Sequence, residues 1–215
     1  LLASFVPVIV GSSLAVAEKN FSPLLSLVAL IVALLIQVGT NFVNDLYDHL
    51  KGADNKNRVG PLRVLNSGLV SAKEMKRAII LIFVVAFSLG LVLVANSGLI
   101  ILAIGILSII AGIAYTAGPY PIAYNGLGDI CSFIFFGLVG TVGTYYLNTN
   151  QISSIAFIAA IPVGALITNI LVVNNYRDFE QDKVAGKKTL AVMLGKTFSL
   201  YEYIFLIAFS FLVPL

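Results

Sequence analysis

Charge is scarce in this chain. Only 11% of its 215 residues are Asp, Glu, Lys or Arg, against roughly 25% in an average soluble domain. A water-soluble protein this apolar would have to hide nearly every face, so that class is excluded. Cysteine is scarcer still: Cys131 stands alone, which rules out an internal disulfide and any multi-cysteine metal site. The single histidine, His49, adjoins Asp48 and reads as an interfacial residue rather than a base. Alternating segments of about 10 residues, which a membrane β-barrel needs, are also missing. What is present is 59% hydrophobic residues, a mean hydropathy of +1.01 and repeated apolar runs of about 20 residues. The fold class that follows is all-α, a polytopic transmembrane helical bundle in a lipid bilayer.

The few charges are not scattered. Of 13 Lys and Arg, seven lie between Lys51 and Arg77, five between Arg177 and Lys196, and only Lys19 elsewhere. Both basic clusters fall in loops between spans, which argues against a nucleic-acid binder. By the positive-inside rule they face the cytoplasm. That rule accounts for the basic residues but not for the acids beside them.

In chain order, Leu1–Ala17 reads as what remains of a first span rather than as a signal peptide. Pro23 can open a second span, ending near Asp48. Ser71 with Glu74 forms a capping-box pattern that starts a third, ending near Ala95. Spans four and five cover about 99–115 and 129–147, joined by the Gly-, Pro- and Tyr-rich loop 116–128. A sixth runs from Ile152 to Asp182, longer than the hydrocarbon requires, and a seventh follows from Phe198. About seven spans put the 2–3, 4–5 and 6–7 connections on one side of the membrane. The expectation is one domain, 1–215, shortened at both ends.

Two constellations carry the chemistry. Gln37, Asn41, Asn44, Asp45 and Asp48 recur at helical spacing on the second span. A loop with Lys51, Asp54, Lys56, Arg58 and Arg63 follows. The end of the sixth span mirrors it: Asn175, Asp178 and Asp182 share a helical face, Glu180 points away, and Lys187 and Lys188 follow. A charge at the centre of a membrane helix costs about 2.5–3.5 kcal/mol on insertion scales, so such acids point to function. Converging carboxylates repel unless a cation compensates. Mg²⁺ takes one or two carboxylates together with phosphate oxygens, and neighbouring Arg and Lys complete a clamp for a diphosphate.

At these residues the sequence resembles the UbiA superfamily of intramembrane aromatic prenyltransferases. Its N-D-x-x-D-x-x-x-D pattern matches Asn44-Asp45-x-x-Asp48, with Gly52 at the last position and Asp54 as the next acid. Its D-x-x-x-D pattern matches Asp178 and Asp182, and its R-P-L-x-S-G element matches Arg63-Val-Leu-Asn-Ser67-Gly68 with Val for Pro. The stretches 5–11, 44–54, 58–71, 118–129, 143–149 and 172–195 are similar to the 1,4-dihydroxy-2-naphthoate polyprenyltransferase branch of menaquinone synthesis. The resemblance implies nine spans, of which about seven are present. It implies an Mg²⁺-dependent transfer of a polyprenyl group from polyprenyl diphosphate to dihydroxynaphthoate, releasing diphosphate and CO₂ to give a demethylmenaquinone. It also implies that Asn44, Asp45, Asp48, Asp178 and Asp182 hold Mg²⁺, with Asp48 and Asp178 central to catalysis. Arg58, Arg63, Lys187 and Lys188 would bind the diphosphate, with Asn41, Asp54 and Asn175 as further members.

Tyr115, Tyr120, Tyr124, Tyr145 and Tyr146 could line a cavity and stabilise a cation through their ring faces, although Tyr is also enriched at membrane interfaces. Asp129, which opens the fifth span, is favoured there by the helix dipole alone. Two alternatives stay open: the same chemistry on another aromatic acceptor, and a cation-coupled transporter using the intramembrane acids. The second fits less well, because these acids sit at span ends beside basic loops that would repel a cation. The oligomeric state is left open.

Overall fold

The computed structural model describes residues 1–52, 63–65 and 67–214. Every described element is helical: α1 (Leu2–Ala17), α2 (Pro23–Leu50), α3 (Ala72–Ser97), α4 (Leu99–Ala114), α5 (Gly128–Ser132), α6 (Gly140–Thr149), α7 (Ser154–Arg177), α8 (Phe179–Val184), α9 (Leu190–Leu194) and α10 (Lys196–Leu212). A 3₁₀ turn (Ile122–Tyr124) precedes α5, and a π-helical segment (Phe133–Val139) fuses α5 to α6. Among the described residues, α2, α3, the fused Gly128–Thr149 helix and α7 are long and apolar enough to cross a bilayer. The shorter α1, α4 and α10 have 16, 16 and 17 residues, near the lower end of a spanning length.

The helix ends follow local chemistry. Ser22 caps α2 by accepting from the Leu25 N–H, with Pro23 at the first position. The capping box expected at α3 is present: Ser71 N–H donates to Glu74 at 2.8 Å, and Glu74 N–H donates back at 3.3 Å. Gly98 separates α3 from α4 at φ 75°, a conformation glycine reaches without penalty.

Large side chains point outward, including Ile80 and Leu81 on α3 and Ile204 and Phe205 on α10, all more than 60% exposed. Hydrocarbon solvates such a surface as well as a protein core would, so helix association depends on close approach through small residues. Accordingly Ala15, Ala86, Thr141, Ala156, Ala160 and Ala165 are fully buried. One tight backbone approach joins the π-helical segment to α7, where a Cβ built on Gly137 would lie 2.5 Å from Gly164 Cα. Gly137→Val should therefore force the helices apart at a cost of about 1–3 kcal/mol or more. Thermal unfolding in detergent measures this, and an unchanged midpoint would mean that α7 can shift to make room.

The connections sort to two ends. Lys51 Nζ donates to Thr116 O at 3.0 Å, and Lys188 N–H donates to Tyr124 O at 3.1 Å, gathering the 2–3, 4–5 and 6–7 connections. At the opposite end Ser22 N–H donates to Asn148 Oδ1 at 2.8 Å, and Ser97 Oγ to Leu147 O at 3.2 Å. The helices enclose a cavity of about 510 Å³.

One element departs from the expected pattern. The helix expected to continue to Asp182 stops at Arg177, where Asp178 takes φ −90°, ψ 7° before α8 begins. Adjacent residues do not face each other on a helix. The break lets the Arg177 guanidinium donate two bonds to Asp178, both 2.7 Å.

Candidate active site

The body of the cavity is apolar, walled by residues such as Val8, Ile36, Leu91, Ile104 and Phe135. Its head is polar. α2 brings Asn41, Asn44 and Asp48 to it, the end of α7 brings Asn175 and Asp178, and Asp182, Arg63 and Lys187 join from the connections. The two constellations, more than 120 residues apart in sequence, meet there.

Asp48 is the hub. It is 2% exposed, and three groups converge on it. Tyr124 Oη donates to Oδ1 at 2.7 Å, while Arg63 Nη2 and Lys187 Nζ approach Oδ2 at 2.9 and 3.0 Å. Lys187 Nζ also lies 3.8 Å from Asp182 Oδ1, so one cation bridges the two constellations. The Lys187 backbone N–H donates to Asp182 O at 2.8 Å, which fixes the approach of that loop. Asn44 accepts from the Thr116 hydroxyl, tying α2 to the residue after Tyr115.

Asp45 is buried with Arg63 Nε 3.9 Å away, but it is not among the residues that line the cavity. Asn41, Asn175 and Tyr115 do line it. The Lys188 side chain is exposed and outside the lining. Arg58 and Asp54 lie outside the described residues. Tyr145 is not brought to the site: it is buried at the other end, its hydroxyl donating to Glu18 at 2.5 Å.

Thr116 was not singled out by sequence pattern, and Tyr124 and Lys51 were named only as a cavity tyrosine and a loop cation. Tyr124 holds Asp48, Thr116 holds Asn44, and Lys51 lies over the Tyr124 ring at 4.1 Å with Lys187 at 5.0 Å. Burial, then the Asp48 charge, then donation to Asp48 push the Tyr124 phenol far above its ordinary range, so it stays a donor. Burial and the nearby Lys187 charge lower Lys51, with Asp48 opposing them. The signal for Tyr124 was its place in the Gly-Pro-Tyr loop, which sequence alone reads equally well as a tight turn.

The donor set tests whether this head suits Mg²⁺. It offers oxygen only, from Asn44, Asp48, Asn175, Asp178 and Asp182, the kind of ligand hard cations take. Among the described residues, no three acidic, His or Cys side chains gather closely enough to ligate an ion by themselves. Mg²⁺ usually takes one or two carboxylates and completes its shell from water and phosphate. The position of Lys187 Nζ between Asp48 and Asp182 marks a point that a cation can occupy. The residues present fit the ion.

A bundle of apolar helices around one cavity, apolar along its body and headed by facing acids and cations, defines a class of intramembrane proteins suited to a lipid with an anionic head group. The chain belongs to the UbiA prenyltransferase family, whose profile matches residues 4–215, and is an integral membrane protein. It is 46% identical over 183 residues to a 1,4-dihydroxy-2-naphthoate octaprenyltransferase of Haemophilus influenzae, covering 82% of this chain and 59% of that one. A protein of the same description from Escherichia coli is 42% identical over 201 residues, 90% of this chain and 65% of that one. The chain thus spans less than two thirds of the length of either relative. It shares the fold of a UbiA homolog from Archaeoglobus fulgidus solved with DMAPP and Mg2+. The TM-score is 0.76 at 20% identity, over 99% of this chain and 72% of that one.

Proposed function

We propose that this protein transfers a polyprenyl group from polyprenyl diphosphate to 1,4-dihydroxy-2-naphthoate, with loss of diphosphate and CO₂, at the head of the cavity. The observation that supports this best is the convergence of Asp48, Asp182, Arg63 and Lys187 at one end of an apolar cavity. The relatives' descriptions point the same way.

In this reading the isoprenoid lies along the apolar body, and the diphosphate meets Arg63 and Lys187 at the head. Arg63 offers planar, paired donors and Lys187 a point charge. Tyr124 keeps the Asp48 carboxylate aimed at the head, and Thr116 does the same for the Asn44 amide. Asn44, Asp48, Asp178 and Asp182 would hold Mg²⁺, with Asp45 supporting Arg63 from behind. When bound, the ion supplies Lewis-acid neutralisation of charge on the leaving diphosphate. Arg63 and Lys187 stabilise the same developing charge by preorganised electrostatics. The Tyr115 ring borders the cavity, where its face can stabilise an allylic cation. The apolar walls keep water from quenching that cation. Arg58 and Lys188 would add positive charge for the diphosphate, and the head faces the cytoplasm.

The test is transfer of label from a radiolabelled polyprenyl diphosphate to dihydroxynaphthoate by membranes holding the full-length protein and Mg²⁺. A lipophilic prenylated product is expected, reduced by Asp178→Ala. No product, or one indifferent to Asp178, would overturn the reading.

A further inference from the structure

Asp129 is an acid that the diphosphate head does not use. It is 5% exposed, borders the same cavity, and its Oδ1 has no hydrogen-bond partner among the described residues. Buried acceptors are nearly always satisfied, so an orphan on a residue that borders a cavity calls for a ligand. No salt bridge to a Lys or Arg accounts for it among the described residues, in contrast to Asp48, Asp178 and Asp182.

Its level in the membrane is set by its neighbours. The Thr168 hydroxyl on α7 donates to the Asp129 backbone carbonyl at 3.5 Å. A Cβ built on the preceding Gly128 would lie 3.1 Å from Tyr115 Oη and 3.6 Å from Leu171 Cδ2. Leu171 and Thr168 precede Asp178 by seven and ten residues. At 1.5 Å per residue, Asp129 therefore sits about 10–15 Å deeper along α7 than Asp178. Tyr115 lies on the route between them, since the next residue, Thr116, bonds Asn44. Both levels open onto the same cavity, which Tyr115 and Asp129 line.

The geometry points to Asp129 as the residue that receives the hydroxyl of the aromatic acceptor and holds its proton during transfer. This rests on the transfer reaction proposed above. As the donor C1–O bond breaks, its electron pair leaves with diphosphate. The acceptor ring carbon bearing the carboxylate bonds to C1, and the O–H pair of the hydroxyl becomes a C=O while its proton passes to Asp129 Oδ1. Loss of CO₂ then returns the C–C electron pair to the ring, and the oxygen takes the proton back from Asp129. The proton is lent and returned, so no further reactant is needed.

The test uses full-length protein in membranes with two acceptors, the dihydroxy ring and its methyl ether at the reacting hydroxyl, which has no proton to lend. With the dihydroxy acceptor, Asp129→Asn should lower kcat about 100-fold and leave the KM for prenyl diphosphate unchanged. With the ether, wild type should already be slow and Asp129→Asn no slower. Asp129→Glu, which keeps the carboxylate, should recover part of the loss, and equal detergent-extracted yields and melting temperatures should attest folding. Undiminished transfer to the dihydroxy acceptor, equal losses on both acceptors, or a parallel rise in the KM for prenyl diphosphate would each overturn the role while leaving the transfer reaction standing. If wild type transfers to neither acceptor, the proposed reaction fails and the role fails with it.

Discussion

Asp48→Ala is expected to abolish prenyl transfer, by at least about 10³-fold, and to destabilise the protein as well. Two cations lie within 3.0 Å of one oxygen of this carboxylate, and a tyrosine donates to the other. Its side chain is 3% exposed, and those of Arg63 and Lys187 are 19% and 15%. Removing one member of a buried ion pair costs about 3–5 kcal/mol, because the partners keep their charge and lose its compensation. The Tyr124 hydroxyl would lose its acceptor too. Asp48→Asn separates the two effects. It keeps the shape and an acceptor for Tyr124, so less stability should be lost, while transfer should still fall by about 10²-fold or more as the negative charge disappears. Thermal unfolding in detergent and product formation from labelled prenyl diphosphate read the two quantities separately. Asp48→Asn with near-normal transfer would show that shape, not charge, is what the head requires.

The pairing of the two constellations was legible because intramembrane acids are costly enough to be informative singly, and two matched sets are more so. Span order placed both on one side, and the contacts of Lys51 and Lys188 agree. The capping box at Ser71 was legible because it is a purely local device. What sequence periodicity could not give was the orientation of single side chains. Asp45 and Asp48 are three residues apart and share a helical stripe, yet only Asp48 borders the cavity. Arg63, from a connection that helical spacing does not describe, contacts both. Tyr145 was named by residue type alone, as one of several tyrosines able to line a cavity, and residue type does not say which face a side chain takes. Thr144 faces the cavity and Tyr145 faces Glu18. The stop at Asp178 was hidden because Arg177-Asp178 reads as an ordinary helical pair until the backbone turns.

Arg63→Ala and Lys187→Ala should both raise the KM for prenyl diphosphate while leaving the KM for the aromatic acceptor nearly unchanged. These cations neutralise Asp48 and Asp182, and a diphosphate entering the head presents a larger negative charge to the same groups. A hydrogen bond to a charged group is worth about 1.5–3 kcal/mol, so each truncation should raise that KM by about 10- to 100-fold. The two should differ in kind. Arg63 contacts Asp45 as well as Asp48, so its loss leaves two buried acids undercompensated and should lower stability more than loss of Lys187. Among the described residues Lys187 alone reaches from Asp48 to Asp182, so its loss should uncouple the constellations and lower kcat as well as affinity. Arg63→Lys should not restore full affinity, since a point charge cannot reproduce the paired donors of a guanidinium. The double variant should be less than the product of the single effects, because both cations act on one carboxylate. Equal losses for donor and acceptor in the single variants would mean that the head binds no diphosphate and that these cations serve only to balance the acids.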